Sequence, residues 1–389
     1  MRVEIARNLA EVESLRPAWS QWRTHRDSDL DYCREYVWKG KEFIRPHVIA
    51  LYDGERPVSL LVGRIGKGRI GAKIGYAKIP FDAAKILYIS YLGFLGNTTA
   101  ENAQIAVKAV VESLERNEAD AALSYEGADS AMNAAIRRLN PGEGSYCATP
   151  LQAHSMMSLH GGIDAVYARL SSGLRSELRR KTKKFASTYG TEVSVRSLKT
   201  FDDIKPFLPQ IERIASASYQ RRLGVGFADT ADQRRRLQVC ADHGWLRVFT
   251  LNLGEKVCAY WIGMVYANRF CSDYLSFDDE YKSYSPGTVL FAHMLGILTA
   301  ENVQEVDFGA GAARYKERFG DIPVSEQFVR IFASNASGLY LRSLYSSSFW
   351  IDDKLRKVLA KREMVSRVKN LWRRERASAA SGPTAGDSK

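Results

Sequence analysis

The chain has 389 residues, 45% of them hydrophobic and 26% charged, and its 56 lysines and arginines against 44 aspartates and glutamates give a formal net charge of +12. At roughly 150 residues per domain this length suggests two or three domains, each large enough to bury its own core, and the composition excludes disordered and collagen-like architectures. No apolar run reaches the roughly 18–20 residues that span a bilayer; the opening MRVEIARNLAEVESL lacks the apolar core of a secretory signal; and the scattered Cys33, Cys147, Cys240, Cys258 and Cys271, none in a CxxC pair, argue against a zinc site or disulfide framework and for a reducing cytoplasm.

In chain order, Val3–Ile5 reads as a short strand, and helical spacing fills Leu9–Trp22 and Leu30–Trp38. His47–Tyr52 and Val58–Ile65 form a hairpin about Asp53-Gly54-Glu55-Arg56, and Ile86–Leu92 is a third strand. A helix over Ala100–Glu115, a strand over Ala119–Tyr125 and a helix over Ser130–Leu139 follow. A joint is expected near Thr149–Asp164. Beyond it, Thr191–Leu198 alternates as a strand, and Thr200 opens a helix with Asp203 as its capping-box partner. Thr230–Asp242 is a second helix, ended by His243-Gly244. Trp245–Leu251, Val257–Tyr266 and Phe270–Phe277 are three strands, with a turn at Leu253-Gly254-Glu255-Lys256. Ser285-Pro286-Gly287 opens a helix reaching about Glu301; Val303–Phe308 is a buried strand, Ala312–Phe319 a short helix and Glu326–Phe332 a last strand. The order of the first half loosely repeats in the second, with DGERPV and LGEKVC at equivalent turns.

The net charge is local. Arg175–Lys184 holds six basic residues and one acid, Asp353–Arg376 ten basic residues and three acids, and together they account for the whole excess. The first segment places Leu170, Leu174, Leu178 and Phe185 on one helical face, so its cations point outward, either merely solvated or toward phosphate, tRNA or an anionic glycan. The second reads as one helix with an intermittent apolar stripe of Leu355, Val358, Val365, Val368 and Trp372. Such a helix packs on its own protein, binds nucleic acid nonspecifically, or lies on an anionic membrane. The small polar end, 377–389, is expected to be disordered.

Two segments carry candidate chemistry. Ser285 suits an N-cap, and Pro286 suits the first helical position. The amides of Gly287, Thr288 and Val289 would then face outward at the positive end of a helix, where a phosphate or pyrophosphate binds; the alternative is a well-capped core helix. In Val306–Gly320 a buried strand ends in a glycine-rich turn before Tyr315 and Lys316. Its GxGxxR run lacks the third glycine of a dinucleotide fingerprint and lies late in the domain, which excludes that reading. Asp307 is a base, a substrate ligand or a turn-stabilising carboxylate; Tyr315 and Lys316 are either functional or ordinary packing and solvated residues.

The order of elements resembles the GNAT acyltransferase superfamily, and more narrowly its FemAB-like and CelD/BcsL-type branch. The resemblance covers about 160–335. It rests on RSELRRKTKK at Arg175–Lys184, on Tyr274-x-x-x-Asp278-x-x-Tyr281-x-x-x-Ser285-Pro286-Gly287-x-x-Leu290, and on Asp307-Phe308-Gly309-x-Gly311-x-x-x-Tyr315-Lys316-x-x-Phe319. It implies an α/β fold with a mixed sheet: two tandem GNAT-like domains, a degenerate one over 1–155 and a catalytic one over 156–340, then a basic helical extension over 341–376. It implies acetyl-CoA, or another acyl-CoA, as co-substrate and no metal. Tyr274, Ser276 and Phe277 would line the donor's thioester arm, and Ser285, Pro286, Gly287 and Thr288 would hold its pyrophosphate. Asp307 would act as base or orient the acceptor amine, Tyr315 would protonate the leaving thiolate, and Lys316 would neutralise phosphate or oxyanion charge. Asp278 and Tyr281 would shape the acceptor site, with Arg179 and Arg180 near it. The acceptor is expected to be a small molecule, a sugar or a cell-envelope precursor, and the C-terminal helix a peripheral membrane contact. Tyr284-Ser285-Pro286-Gly287 departs from the usual Gln/Arg-x-x-Gly-x-Gly/Ala loop, which keeps two alternatives open: aminoacyl transfer from aminoacyl-tRNA, and a non-catalytic module of a polysaccharide-synthesis complex.

Overall fold

The apolar runs of both halves join one 14-stranded mixed sheet in the computed structural model, which describes residues 1–361 apart from 71–72, 75–76, 79–82, 140–144, 223 and 312. In the first half the strands are β1 (Arg2–Ala6), β2 (Phe43–Pro46), β3 (Val48–Asp53), β4 (Arg56–Gly68), the small hairpin β5 (Lys73–Ile74) and β6 (Ala77–Lys78), β7 (Ala84–Gly96), β8 (Ala121–Gly127) and β9 (Ser145–Ala148). Then come β10 (Gln152–Ser158), β11 (Val193–Leu198), β12 (Leu246–Leu253), β13 (Lys256–Tyr266), β14 (Arg269–Phe277), β15 (Glu305–Ala310) and β16 (Ile322–Phe332). The main order is β1-β3-β4-β7-β8-β16-β10-β15-β14-β13-β12-β11.

The two halves repeat each other closely. Each ends in a parallel pair, β7 with β8 and β14 with β15, and every other pairing is antiparallel among the described strands. The crossover helices are Ala100–Glu115, capped by the Thr99 side chain, and Pro286–Ala300. Both parallel ladders are short. Arg269, Phe270 and Cys271 face Glu305, Val306 and Asp307, after which β14 runs on to Phe277 and β15 to Ala310 without pairing to each other. A glycine stands at the register shift of the strand before each pair, Gly63 in β4 and Gly263 in β13. A Cβ on Gly263 would lie 2.5 Å from the Cys271 carbonyl oxygen and from the Phe270 ring, so only glycine lets the strands approach there.

The joint between the halves, expected near Thr149–Asp164, carries β10, which lies between β15 and β16. The chain's last strand, β16, has β10 on one side and β8 of the first half on the other. The halves thus exchange strands at the centre of the sheet. Backbone pairing reads edges rather than side chains, which is why the sequence did not announce it.

Helices cover both faces of the second half, so β13 is buried from Val257 to Met264. Its alternate residues enter two cores: Ala259 and Trp261 join Phe249, Leu290, Phe291 and Phe308, while Tyr260 and Ile262 join Ile204, Leu208, Ile211 and Val248. The helix Ser172–Tyr189 buries Leu174, Leu178 and Phe185, the face its spacing predicted. The Thr200–Asp203 capping box is present. All five cysteines are free. The helix Ala336–Lys361 follows β16; residues 362–389, which include 362–376 of the expected basic extension and the tail, lie outside the described residues.

Candidate active site

Where β14 and β15 part, two cavities meet, sharing Leu275 and Tyr315 in their walls. The larger, about 600 Å³, runs from the start of the helix Pro286–Ala300 over Trp261 and Phe291 to Tyr315. Ser276, Phe277, Asp278, Ser285, Gly287 and Thr288 line it with Tyr315, so seven of the predicted residues meet there. A Cβ on Gly287 would sit 3.6 Å from Phe277 and 3.9 Å from Leu275; its absence opens the gap between helix and strand. Exposed Arg222 and Lys282 stand at the rim.

The helix start is built differently from its expectation. Ser285 is left-handed, at φ 56°, and its side chain makes no capping bond. Pro286 disfavours the right-handed helical region for the residue before it, and the chain turns sharply here out of the 3-10 helix Asp279–Tyr284. The Ser285 carbonyl accepts the Thr288 and Val289 amides at 2.9 and 3.2 Å, so those two expected free donors are used. Pro286 is buried at the first helical position.

The smaller cavity, about 320 Å³, is lined by Tyr260, Ser272, Asp273, Tyr274, Gly311 and Lys316 among others. Tyr274 lines this cavity rather than the larger one, with its ring against Phe227 at 5.6 Å between centroids. Asp273 is held by two guanidiniums, Arg26 at 2.6 and 3.0 Å and Arg236 at 2.6 Å. The buried Lys316 ammonium donates to the Gly309 and Ala310 carbonyls at 3.0 and 2.8 Å, tying down the end of β15; burial draws its pKa below the usual lysine value. Tyr315 packs edge-on against Trp261 and Phe308, and burial pushes its hydroxyl up to about 12, so it keeps its proton at neutral pH.

Five predicted residues line neither cavity: Pro286, Tyr281, Arg179, Arg180 and Asp307. Tyr281 is buried against Tyr189, with Lys256 over its ring at 5.1 Å. Arg179 and Arg180 are exposed on the helix Ser172–Tyr189. Asp307 is 4% exposed and faces the centre of the sheet, where its carboxylate accepts the Gly309 amide at 2.7 Å. Of the three roles open to it, the turn-stabilising one is the one its geometry displays. Asp278 stands at the wall of the larger cavity, paired with Arg213 at 2.8 Å and accepting the Glu280 amide; burial opposes its charge, but these bonds hold its pKa below the usual carboxylate range.

Behind this wall lies a group of residues that sequence reasoning missed. His154, from β10, binds Asp307 through Nε2 at 2.6 Å and Glu326 through Nδ1 at 2.7 Å. The Tyr91 hydroxyl, from β7 of the first half, donates to the other Glu326 oxygen. Burial disfavours charge on His154, but its two carboxylate partners raise its pKa to about 9. No local pattern marks a lone histidine in an apparent linker.

Ligand atoms of His25, Cys271 and Asp307 also come within 4.8 Å of one another. The set does not suit a metal. His25 Nδ1 accepts the Asp27 amide at 3.2 Å, which leaves the ring proton on Nε2, the atom facing Cys271 at 3.6 Å, and Asp307 is already engaged by His154.

Residues 172–317 match the family model described as an acetyltransferase (GNAT) domain. No curated protein matches the chain in sequence. Among solved structures, FemX is similar at a TM-score of 0.59 and 10% identity, over 85% of this chain and 97% of that one. A conserved protein of unknown function from Bacteroides thetaiotaomicron is similar at 0.53 and 12%, over 85% and 100%. A tandem GNAT protein from the clavulanic acid biosynthesis pathway is similar at 0.50 and 11%, over 84% and 98%. At these identities the likeness is one of fold.

Proposed function

We propose, from the match of residues 172–317 to a GNAT acetyltransferase domain and the fold shared with FemX and a tandem GNAT protein, that the chain transfers an acyl group, most simply acetyl from acetyl-CoA, to an amine or hydroxyl of a small molecule, sugar or cell-envelope precursor. One observation carries this reading: Tyr315 stands between two cavities at the point where β14 and β15 part. The larger suits a long donor. Its phosphates would lie at the Gly287 amide and the Thr288 side chain, where the helix end is positive, within reach of Lys282 and Arg222. The thioester arm would pass between Phe277 and Gly287 toward Tyr315. The smaller cavity, with its hydroxyls and Lys316, suits a compact polar acceptor.

The acceptor nitrogen attacks the thioester carbonyl, the C–N bond forms and the C–S bond breaks. Tyr315, neutral because it is buried, gives its proton to the departing sulfur and recovers one from the acylated nitrogen. Asp307 has no part in proton transfer here, because its carboxylate is engaged behind the wall; it and Lys316 fix the end of β15 instead. The departure of Tyr284-Ser285-Pro286-Gly287 from the usual loop supports one competing reading, in which the donor is an aminoacyl-tRNA. Calorimetric titration with acetyl-CoA, with CoA and with aminoacyl-tRNA distinguishes the two. Acetyl-CoA should bind the native chain and be lost in Gly287→Glu, whose side chain would fill the gap to Phe277. Binding of charged tRNA alone would replace the donor assignment, and binding of none would leave a non-catalytic module.

A further inference from the structure

The helix Ala336–Lys361 buries Leu341, Tyr345 and Ser348 along one side, with Tyr345 packed near Phe332 and under the Arg330 guanidinium. Its other side is unusually apolar for a surface. Leu339, Tyr340, Phe349, Trp350 and Ile351 are 48, 62, 46, 62 and 37% exposed. Isolated exposed apolar residues need no explanation; five on one helix, three of them consecutive, do. Lys354 lies over the Trp350 ring at 5.4 Å. From Asp353 to Arg376 the sequence carries ten basic residues and three acids.

We infer that this helix face docks on an anionic lipid surface, with Phe349, Trp350 and Ile351 entering the interface and the basic stretch beginning at Lys354 meeting the headgroups. The charge selects the occupant. A second copy of the chain would bring its own net +7 from the same stretch against the first. Nucleic acid would satisfy the cations but give exposed leucine and isoleucine nothing apolar to enter. An anionic bilayer answers both, because tryptophan and tyrosine favour the headgroup boundary and basic residues are drawn to negative lipid. No helix among the described residues is long and apolar enough to cross a membrane, so this one would lie on the surface rather than span it. The inference is independent of the acyl-transfer reading.

Cosedimentation of the full chain tests it, using vesicles of phosphatidylglycerol and phosphatidylcholine in equal parts, and vesicles of phosphatidylcholine alone. The chain should pellet with the first and not the second, and added salt should release it. Phe349→Ser with Trp350→Ser, and separately deletion of 353–389, should each weaken binding by about tenfold or more, since either the apolar or the charged contribution is gone. The serine variant replaces exposed side chains, so an unchanged thermal melt shows that its loss is not one of folding. Equal binding to both vesicle types, undiminished binding by both variants, or no binding overturns the proposal. So does light scattering that shows a dimer dispersed by the serine variant, or binding of a ribo-oligonucleotide in place of the vesicles.

Discussion

Replacing His154 by alanine would leave Asp307 and Glu326 facing each other across the centre of the sheet without the imidazolium between them. The three side chains are 4, 5 and 2% exposed, so water cannot easily take its place. Breaking a buried ion pair by removing one partner costs about 3–5 kcal/mol. Linkage gives a similar figure: raising the histidine from its ordinary 6.5 to about 9 corresponds to at most about 3 kcal/mol. The sign follows from the direction. The folded pKa lies above the unfolded one, so this stabilisation is fully present below the unfolded value and is lost as pH rises through about 9. Asp307 and Glu326 are shifted the opposite way by the same bonds, burial opposing them, and their contribution is lost at the acid end. Urea denaturation of the native chain and of His154→Ala, at about pH 7 and about pH 10, reads the effect directly. The variant should be less stable by about 3 kcal/mol at the lower pH, and the gap should narrow at the higher. Parallel pH profiles for the two proteins would refute the reasoning, since they would mean that the imidazole carries no charge in the fold.

Tyr315→Phe should lower acyl-transfer turnover by about 10²-fold or more while leaving donor affinity nearly unchanged, by steady-state kinetics and calorimetry. Because burial holds that hydroxyl up to about 12, the native rate should not fall on the alkaline side through its ionisation until near that pH. Gly263→Ala should destabilise the chain by about 1–3 kcal/mol in thermal or urea unfolding, because the new methyl would meet the Cys271 carbonyl oxygen and the Phe270 ring at 2.5 Å.

What could be read without the structure was local. Thr200 and Asp203 lie three residues apart and cap their helix as expected; Leu174, Leu178 and Phe185 recur at helical spacing and are buried together. The lining of the larger cavity was legible for the same reason: Ser276 to Thr288 is one continuous strand–turn–helix, so its residues share a cavity by virtue of chain geometry. Even there, the faces were decided elsewhere. Tyr274 lines the second cavity, packed against Phe227, and Tyr281 is buried against Tyr189.

The centre of the molecule was not legible at all. The strand exchange that puts β10 and β16 between the two halves depends on which backbone edges are left unpaired, and peptide hydrogen bonds carry no residue code. His154 acquires its charge only because that exchange sets it between Asp307 and Glu326, residues 153 and 172 positions away in the chain. Periodicity along the sequence determined the elements and the segment that lines the larger cavity. Tertiary packing alone decided that Asp307 belongs to a buried ion network, and that the first half reaches, through Tyr91 and Glu326, the wall of the site in the second.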